Sequence, residues 1–289
     1  MAREPCCVVF LTFNSAAVIE WSIAAAREVG GRIVAVDSGS TDGTLERLAA
    51  LGCEVLSRPF VHYADQRNWA IGTLEPRFEW QLHLDADEVL DATAVAEVRK
   101  VLAGVRTDAV YLLHRRTFFM GRRLSFGGAS SWHLRLFRSG AARCEDRLYD
   151  QHFVSELPRE RLRGRLDDLN VGDLSEWTAR HNRWSNLEAE QLTRPPEASD
   201  SQVAGRLSGD PRERRRLYKG LYYRLPRGWR ATGYFLYRYF VQLGFLDGAA
   251  GFYYAVLQAL WFRVLVDAKL TELEARVAPQ RRDSPGGAG

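Results

Sequence analysis

The first hundred residues alternate short apolar runs with segments of helical spacing. Cys6 to Thr12 is an apolar run of strand length, and Ala16 to Glu28 carries Val18, Ile19, Ile23 and Ala26 near helical spacing before Gly30-Gly31 stops it. Ile33-Val34-Ala35-Val36 predicts a buried second strand ending at Asp37. Ser38-Gly39-Ser40-Thr41-Asp42 is loop and cap chemistry, with Ser40 or Thr41 capping a helix that runs through Leu51. A third strand is expected over Cys53–Ser57, a helix over Asp65–Leu74, a fourth strand over Trp80–Leu84 and a helix over Ala92–Leu102. Repeated βα units of this kind predict an α/β fold with a Rossmann-like, mostly parallel sheet and right-handed crossovers. Sheets of that class bind ligands beyond the carboxyl ends of their strands. Three polar groups fall at those ends: Thr12-Phe13-Asn14, Asp37-Ser38 and Asp85-Ala86-Asp87.

From Ala109 the pattern changes. Val110-Tyr111-Leu112-Leu113 and Leu134-Arg135-Leu136-Phe137 predict further strands, with turns at Gly121 and Gly127-Gly128. Asp173 to Leu192 is a polar helix rich in Trp, Arg and Glu, and Thr193 to Asp210 is a linker rich in Pro, Ser and Gly. The organisation expected is an α/β domain over 1–165, a helical C-terminal region over 166–275 and a disordered tail over 276–289. No internal repeat is visible.

Composition narrows the class. A chain of 289 residues with 46% hydrophobic residues is long and apolar enough to bury a sizeable core. The formal net charge of +4 argues against a general nucleic-acid binder. Cys6, Cys7, Cys53 and Cys144 form no C-x-x-C pair and no zinc-spaced cluster, so reduced thiols in a cytoplasmic protein fit best. Met1-Ala2-Arg3-Glu4-Pro5 leads straight into the first strand, without the pattern of a signal peptide.

The carboxylates carry the chemistry. Asp85 and Asp87, one residue apart at a strand end, supply a ligand and a support for a hard divalent cation, Mg2+ or Mn2+. Such a cation bridging a diphosphate stabilises the charge that builds as a nucleotide sugar gives up its sugar. An isolated pair of this form is also a common acidic turn; the hydrophobic strand before it is what favours the metal. Asp37 is placed to bond a uracil or ribose group, or else belongs only to the cap region of the next helix. Arg67, in Gln66-Arg67-Asn68, reaches a base or phosphate on one reading and lies on a solvated helix face on the other.

Val36-Asp37-Ser38-Gly39-Ser40-Thr41-Asp42-Gly43-Thr44 and Leu84-Asp85-Ala86-Asp87-Glu88 resemble the hallmark segments of family 2 glycosyltransferases. Arg58-Pro59-Phe60 and Gln66-Arg67-Asn68-Trp69-Ala70 are similar to the intervening segment of one subgroup, the lipopolysaccharide-core β-glucosyltransferases of the WaaE/KdtX type. Leu134-Arg135-Leu136-Phe137-Arg138, His181-Asn182-Arg183-Trp184-Ser185 and Gly244-Phe245-Leu246-Asp247-Gly248 resemble its later segments, so the likeness runs over roughly residues 5 to 270. The resemblance implies a GT-A fold and an inverting mechanism. Thr12, Asn14, Asp37, Arg67 and Asp85 would then bind the nucleotide sugar, and Asp85 and Asp87 the metal. A further carboxylate would be the base that deprotonates the acceptor hydroxyl. The chain departs from the family where Asn14 is followed by Ser15-Ala16-Ala17 rather than an acid, and where Tyr149-Asp150 stands in place of His-Glu. The second departure leaves Asp146 and Asp150 as candidate catalytic bases, with Asp146 keeping the family's Glu-Asp pair. A salt bridge of either to Arg143 or Arg147 is the structural alternative.

The C-terminal part is basic, then aromatic, then apolar. Arg214-Arg215-Arg216 is its densest point of charge; Tyr222, Tyr223, Trp229, Tyr234, Phe235, Tyr237, Tyr239 and Phe240 follow. Gly248 to Phe262 holds no charge and is shorter than a spanning helix requires. Peripheral contact with the inner face of a bacterial cytoplasmic membrane is expected, next to a lipid-linked or other cell-envelope glycan acceptor. The rival is a hairpin packed on protein. Nucleic acid is not expected as a partner, because the crevice is acidic. A dinucleotide-dependent oxidoreductase would need a G-x-G-x-x-G loop that Thr12-Phe13-Asn14-Ser15-Ala16 lacks. A nucleotidyltransferase and a catalytically inactive membrane-bound scaffold are the remaining alternatives.

Overall fold

The computed structural model describes residues 3–105, 108–194 and 211–282. The chain divides into two compact units, Met1–Asp146 with Gln151–Gly172, and Arg147–Asp150 with Asp173–Gly289.

The first unit is built on a sheet of β1 (Glu4–Thr12), β2 (Arg32–Asp37), β3 (Glu54–Ser57), β4 (Phe78–Asp85), β5 (Glu88–Leu90), β6 (Val110–Phe119), β7 (Arg122–Arg123), β8 (Ser131–Arg138) and β11 (Arg159–Asp168). Its order is β3-β2-β1-β4-β8-β6-β11-β5, with β7 paired to β6. The four strands β3, β2, β1 and β4 are parallel. The strand β8 runs antiparallel to both β4 and β6, β11 is parallel to β6, and β5 closes the order antiparallel to β11. A separate ribbon pairs β9 (Arg143–Cys144) with β10 (Phe153–Val154). Strand β11 continues to Asp168, so the sheet extends past residue 165.

The parallel strands read as apolar runs because both of their faces are covered. Val8, Phe10, Leu82 and Leu84 pack with α1 (Ile19–Arg27) and α4 (Ala92–Lys100) on one face. Cys7, Val9, Val34 and Val36 pack under α3 (Tyr63–Leu74) on the other. Helix α2 (Thr44–Ala50) begins later than its cap chemistry implies. Neither Ser40 nor Thr41 caps it: Gly43 holds the cap position in a left-handed conformation, and the Asp42 carboxylate accepts the Thr44 N–H.

The connection from β4 to β5 forces the sheet to curl. Asp85 and Glu88 are three residues apart, a reach of at most about 11 Å. Four strand spacings separate β4 from β5 in the sheet order, about 19 Å if it were flat. Only a curled sheet satisfies both, and the curl returns Glu88 beneath Asp85.

The second unit is helical: α5 (Leu174–Thr193), α6 (Pro211–Arg224), α7 (Trp229–Leu236), α8 (Gly248–Tyr254) and α9 (Phe262–Arg282), the last two joined by a helical segment, Ala255–Trp261. The N-cap of α5 is Asp173, whose side chain accepts the Glu176 N–H at 2.8 Å. Residues 195–210 of the expected linker lie outside the described residues. Helix α9 runs to Arg282, beyond the point where a tail was expected to begin; residues 283–289 lie outside the described residues. The uncharged stretch read as too short to span is part of a longer helix. Gly244–Arg276, 33 residues, is long and apolar enough to cross a membrane by length and composition.

Candidate active site

Thr12, Asp37 and Asp85 meet at the carboxyl edge of the parallel strands. Strand β1 lies between β2 and β4, with Thr12 opposite Asp37 and Leu11 opposite Asp85. The two aspartates therefore end strands about 10 Å apart, two sheet spacings. Asp37 is buried, and its carboxylate is satisfied locally: Thr12 Oγ1 donates at 2.9 Å, Ser40 Oγ at 2.6 Å, and the Gly39 and Ser40 N–H groups at 2.8 Å each. Gly39 has φ +93°, the left-handed turn that lets both N–H groups face one oxygen. Asn14 also adopts a left-handed conformation, φ +47°, and ties the loops together: its N–H donates to Ser40 Oγ, and its Oδ1 accepts the Thr41 N–H.

Asp85 projects from the end of β4 between two arginines. Arg67 of α3 donates to its Oδ1, and Arg135 of β8 donates to its Oδ2 at 2.9 Å. Arg67 is 5% exposed, which removes the solvated-face reading; its guanidinium also reaches the Leu84 carbonyl. Burial opposes the charged form of Asp85, but Arg135 and Arg67 outweigh it and hold the carboxyl well below the usual range. Asp87 lies in the turn between β4 and β5, half-buried, and its carbonyl accepts the Leu169 N–H at 3.1 Å.

Two members of this cluster had no role of their own in the sequence reading, where Glu88 counted only as the last residue of the acidic run and Arg135 only as part of a strand. Arg135 sits in an apolar strand, 6% exposed, where the register between β6 and β8 slips. Glu88, brought back by the curl, is 1% exposed; one oxygen accepts the Asp85 N–H at 3.0 Å and the other pairs with Arg135. Burial first, with the neighbouring Asp85, pushes Glu88 up to about 7 against the pull of Arg135. The signal available for Arg135 was a charge inside Leu134-Arg135-Leu136-Phe137, a position apolar neighbours leave no room for unless it is paired. His83, stacked on Phe137 at 5.2 Å and hydrogen-bonded to Gln81, is held neutral by burial, Arg67 and Arg135.

The two candidate bases lie in different settings. The Asp146 side chain is 69% exposed, with His62 Nε2 4.0 Å away. Asp150, at φ +56°, belongs to the second unit, where Lys219 Nζ donates to it at 3.0 Å.

Among the described residues, no group of three or more His, Cys, Asp or Glu side chains is arranged to hold a metal by itself. A Mg2+ or Mn2+ site completed by substrate phosphates needs only one or two protein carboxylates. Asp85 ends β4, and Asp87 lies two residues on in the turn. Two buried arginines, Arg67 and Arg135, flank the Asp85 carboxylate.

Among curated proteins the chain is 30% identical over 112 residues to an uncharacterized glycosyltransferase of Rickettsia bellii, covering 39% of this chain and 37% of that protein. It is 29% identical over 112 residues to a second from Rickettsia felis, covering 39% of each. The chain thus matches well under half the length of these relatives. Among solved structures it is similar to S. aureus TarS 1-349, with 12% identity, 94% of this chain and 91% of that chain covered, and a TM-score of 0.40. The model of glycosyl transferase family 2 matches residues 7–152, half of the chain and all of the strand-edge cluster from Thr12 to Glu88. With that match and the curled GT-A-like sheet beneath it, the chain belongs to glycosyl transferase family 2.

Proposed function

We propose that the chain is an inverting glycosyltransferase that moves a sugar from a nucleoside diphosphate donor, UDP first among them, to a hydroxyl of a lipid-linked or other cell-envelope glycan. The observation that carries this reading is the pairing of Asp37 and Asp85 at the ends of the strands flanking β1, with Asp87 two residues on. Thr12 and Asn14 hold the loop around Asp37, which faces the nucleoside. Arg67 acts through Asp85, keeping it ionised and oriented. Asp85 and Asp87 would hold Mg2+ or Mn2+, which neutralises charge on a leaving diphosphate when bound.

The base in this reading is Asp146. Its exposed carboxylate is free to meet an acceptor, whereas Asp150 is engaged by Lys219. Asp146 takes the proton from the acceptor hydroxyl as that oxygen attacks the anomeric carbon. The bond from carbon to the diphosphate oxygen breaks, its electron pair leaves with the diphosphate, and the anomeric configuration inverts. The motifs shared with lipopolysaccharide-core glucosyltransferases support a glycolipid acceptor. The long apolar helix and the basic, aromatic C-terminal segment support work at the cytoplasmic face of a membrane.

The test is release of nucleoside diphosphate from a panel of nucleotide sugars with and without Mn2+. Asp87→Ala and Asp146→Asn should each lower turnover by about a hundredfold or more. Turnover in Asp87→Ala equal to wild type would exclude the metal assignment, and turnover in Asp146→Asn equal to wild type would exclude that base.

A further inference from the structure

The second unit exposes an apolar tip with a specific construction. Helix α7 continues through Tyr237–Val241, turns at Gly244–Asp247 and returns as α8. Leu236, Phe240, Val241, Leu243, Leu246 and Phe252 are all exposed on it, Val241 by 70% and Phe240 by 55%. Beneath them aromatic rings pack together. The Tyr239 ring touches Phe235, Phe240, Phe245 and Phe252 within 5.0 to 6.1 Å. A Cβ on Gly251 would lie 2.2 Å from the Gly244 carbonyl oxygen, so only glycine lets α8 approach the turn this closely.

We infer that this tip inserts into the interface of an anionic lipid bilayer without crossing it. Three observations select that occupant. First, the reversal has its backbone satisfied: the Gln242 N–H bonds the Tyr237 carbonyl at 2.9 Å, Leu243 the Phe240 carbonyl and Leu246 the Leu243 carbonyl. A turn entering an apolar medium requires this, because an unbonded peptide group there is costly. Second, the chain around the tip is basic in sequence. Residues 211–224 hold six Arg and Lys against Glu213 alone, and Arg227 follows; from Leu225 to Trp261 the one acid is Asp247. Of these bases Lys219 and Arg227 are also paired within the unit, with Glu188 and Glu274. Lipid phosphates complement such a set, whereas a second copy of the chain would set like charges together. Third, the Gly244–Arg276 helix is not free to span. Its later half is tied to other helices of the unit: Arg263 to Glu188 at 3.4 Å, Asp267 to Arg230 at 3.0 Å, and Lys269 to Ser185 at 2.7 Å. The segment before it, Ala255–Trp261, is held as well, with Ala255 and Ala259 buried and Gln258 bonded to His181, which leaves Gly244 to Tyr254, about 16 Å long against a hydrocarbon core of about 30 Å.

This inference deepens the membrane side of the proposed function and is tested apart from it. The full-length protein is sedimented with vesicles of phosphatidylethanolamine containing about one third phosphatidylglycerol, and with vesicles of phosphatidylcholine alone. Wild type should partition onto the first and about tenfold less onto the second. The double variant Phe240→Asp/Leu246→Asp should lose binding by about tenfold or more at an unchanged melting temperature, while Val171→Asp, in the first unit, should bind as wild type. Binding unchanged in the double variant would overturn the inference, as would a wild type that ignores both vesicles. So would one that self-associates in solution through the same two residues. Nucleoside diphosphate release measured without lipid reports separately on the transferase reading, so the failure of one is not the failure of the other.

Discussion

Glu88 in the first unit and Glu188 in the second are each 1% exposed, and their surroundings treat them in opposite ways. Glu188 receives Lys219 at 2.7 Å, Arg263 at 3.4 Å and the Tyr223 hydroxyl at 2.6 Å. Burial raises its pKa, but Lys219 and Arg263 overcome that, and the carboxyl ends below its ordinary value. Glu88 has to share Arg135 with Asp85, and the nearby Asp85 charge adds to the cost of burial, so its carboxyl rises to about 7. The same residue type at the same depth is thus held firmly as an anion in one unit and pushed toward its neutral form in the other. What differs is the number of cations per carboxylate.

The sharpest way to break this comparison is to remove the shared cation. Arg135→Met leaves Glu88 without its arginine and Asp85 with Arg67 alone, and should cost about 4 kcal/mol, read as a shift in the denaturant midpoint. Glu188→Gln should cost about 3 kcal/mol, because Lys219 and Arg263 lose the anion that balances them.

A third measurement sharpens the contrast through pH. Burial lowers His181 of α5 to about 4, with its Nδ1 bonded to the Trp177 carbonyl at 2.9 Å and its ring stacked on Trp177. The unfolded chain takes up a proton near pH 6.5 and the folded chain does not. The contribution is therefore complete above pH 6.5 and is lost as pH falls toward 4, by up to about 3 kcal/mol. Glu188, with its depressed value, moves stability in the same direction. Thermal melts of wild type and His181→Gln across pH 4 to 7 check this, with a flatter profile expected for the variant. The smallest effect should be Glu88→Gln, under about 1 kcal/mol, since an amide replaces a group whose charge burial and Asp85 already disfavour and still accepts the Asp85 N–H. A loss as large as that of Glu188→Gln would show that Glu88 is held as an anion after all.

Much of the first unit was legible because its signals are local. Parallel strands covered on both faces write themselves as apolar runs, and an acid at the end of such a run marks the ligand edge of the sheet. Asp37, Asp85 and Asp87 were found that way. Arg67 was found as a residue, but its burial and its grip on Asp85 were not, since a helix of mixed polarity does not show which face it turns inward. Arg135 and Glu88 joined the cluster only through the curl of the sheet, which depends on pairings between strands far apart in the chain. The second unit was less legible. Its basic, aromatic and apolar segments were visible in order, but ion pairs that anchor the long helix, Asp267 with Arg230 and Arg263 with Glu188, join residues 37 and 75 positions apart.

The sequence by itself determined the βα periodicity, the strand-end carboxylates and the likeness to a family, because each depends on residues within a few positions of one another. Tertiary structure alone decided which arginine serves which carboxylate, which buried glutamate keeps its charge, and which apolar residues are left facing outward. Those outcomes follow from desolvation and from Coulomb interactions between neighbours in space, and chain order carries no direct record of them.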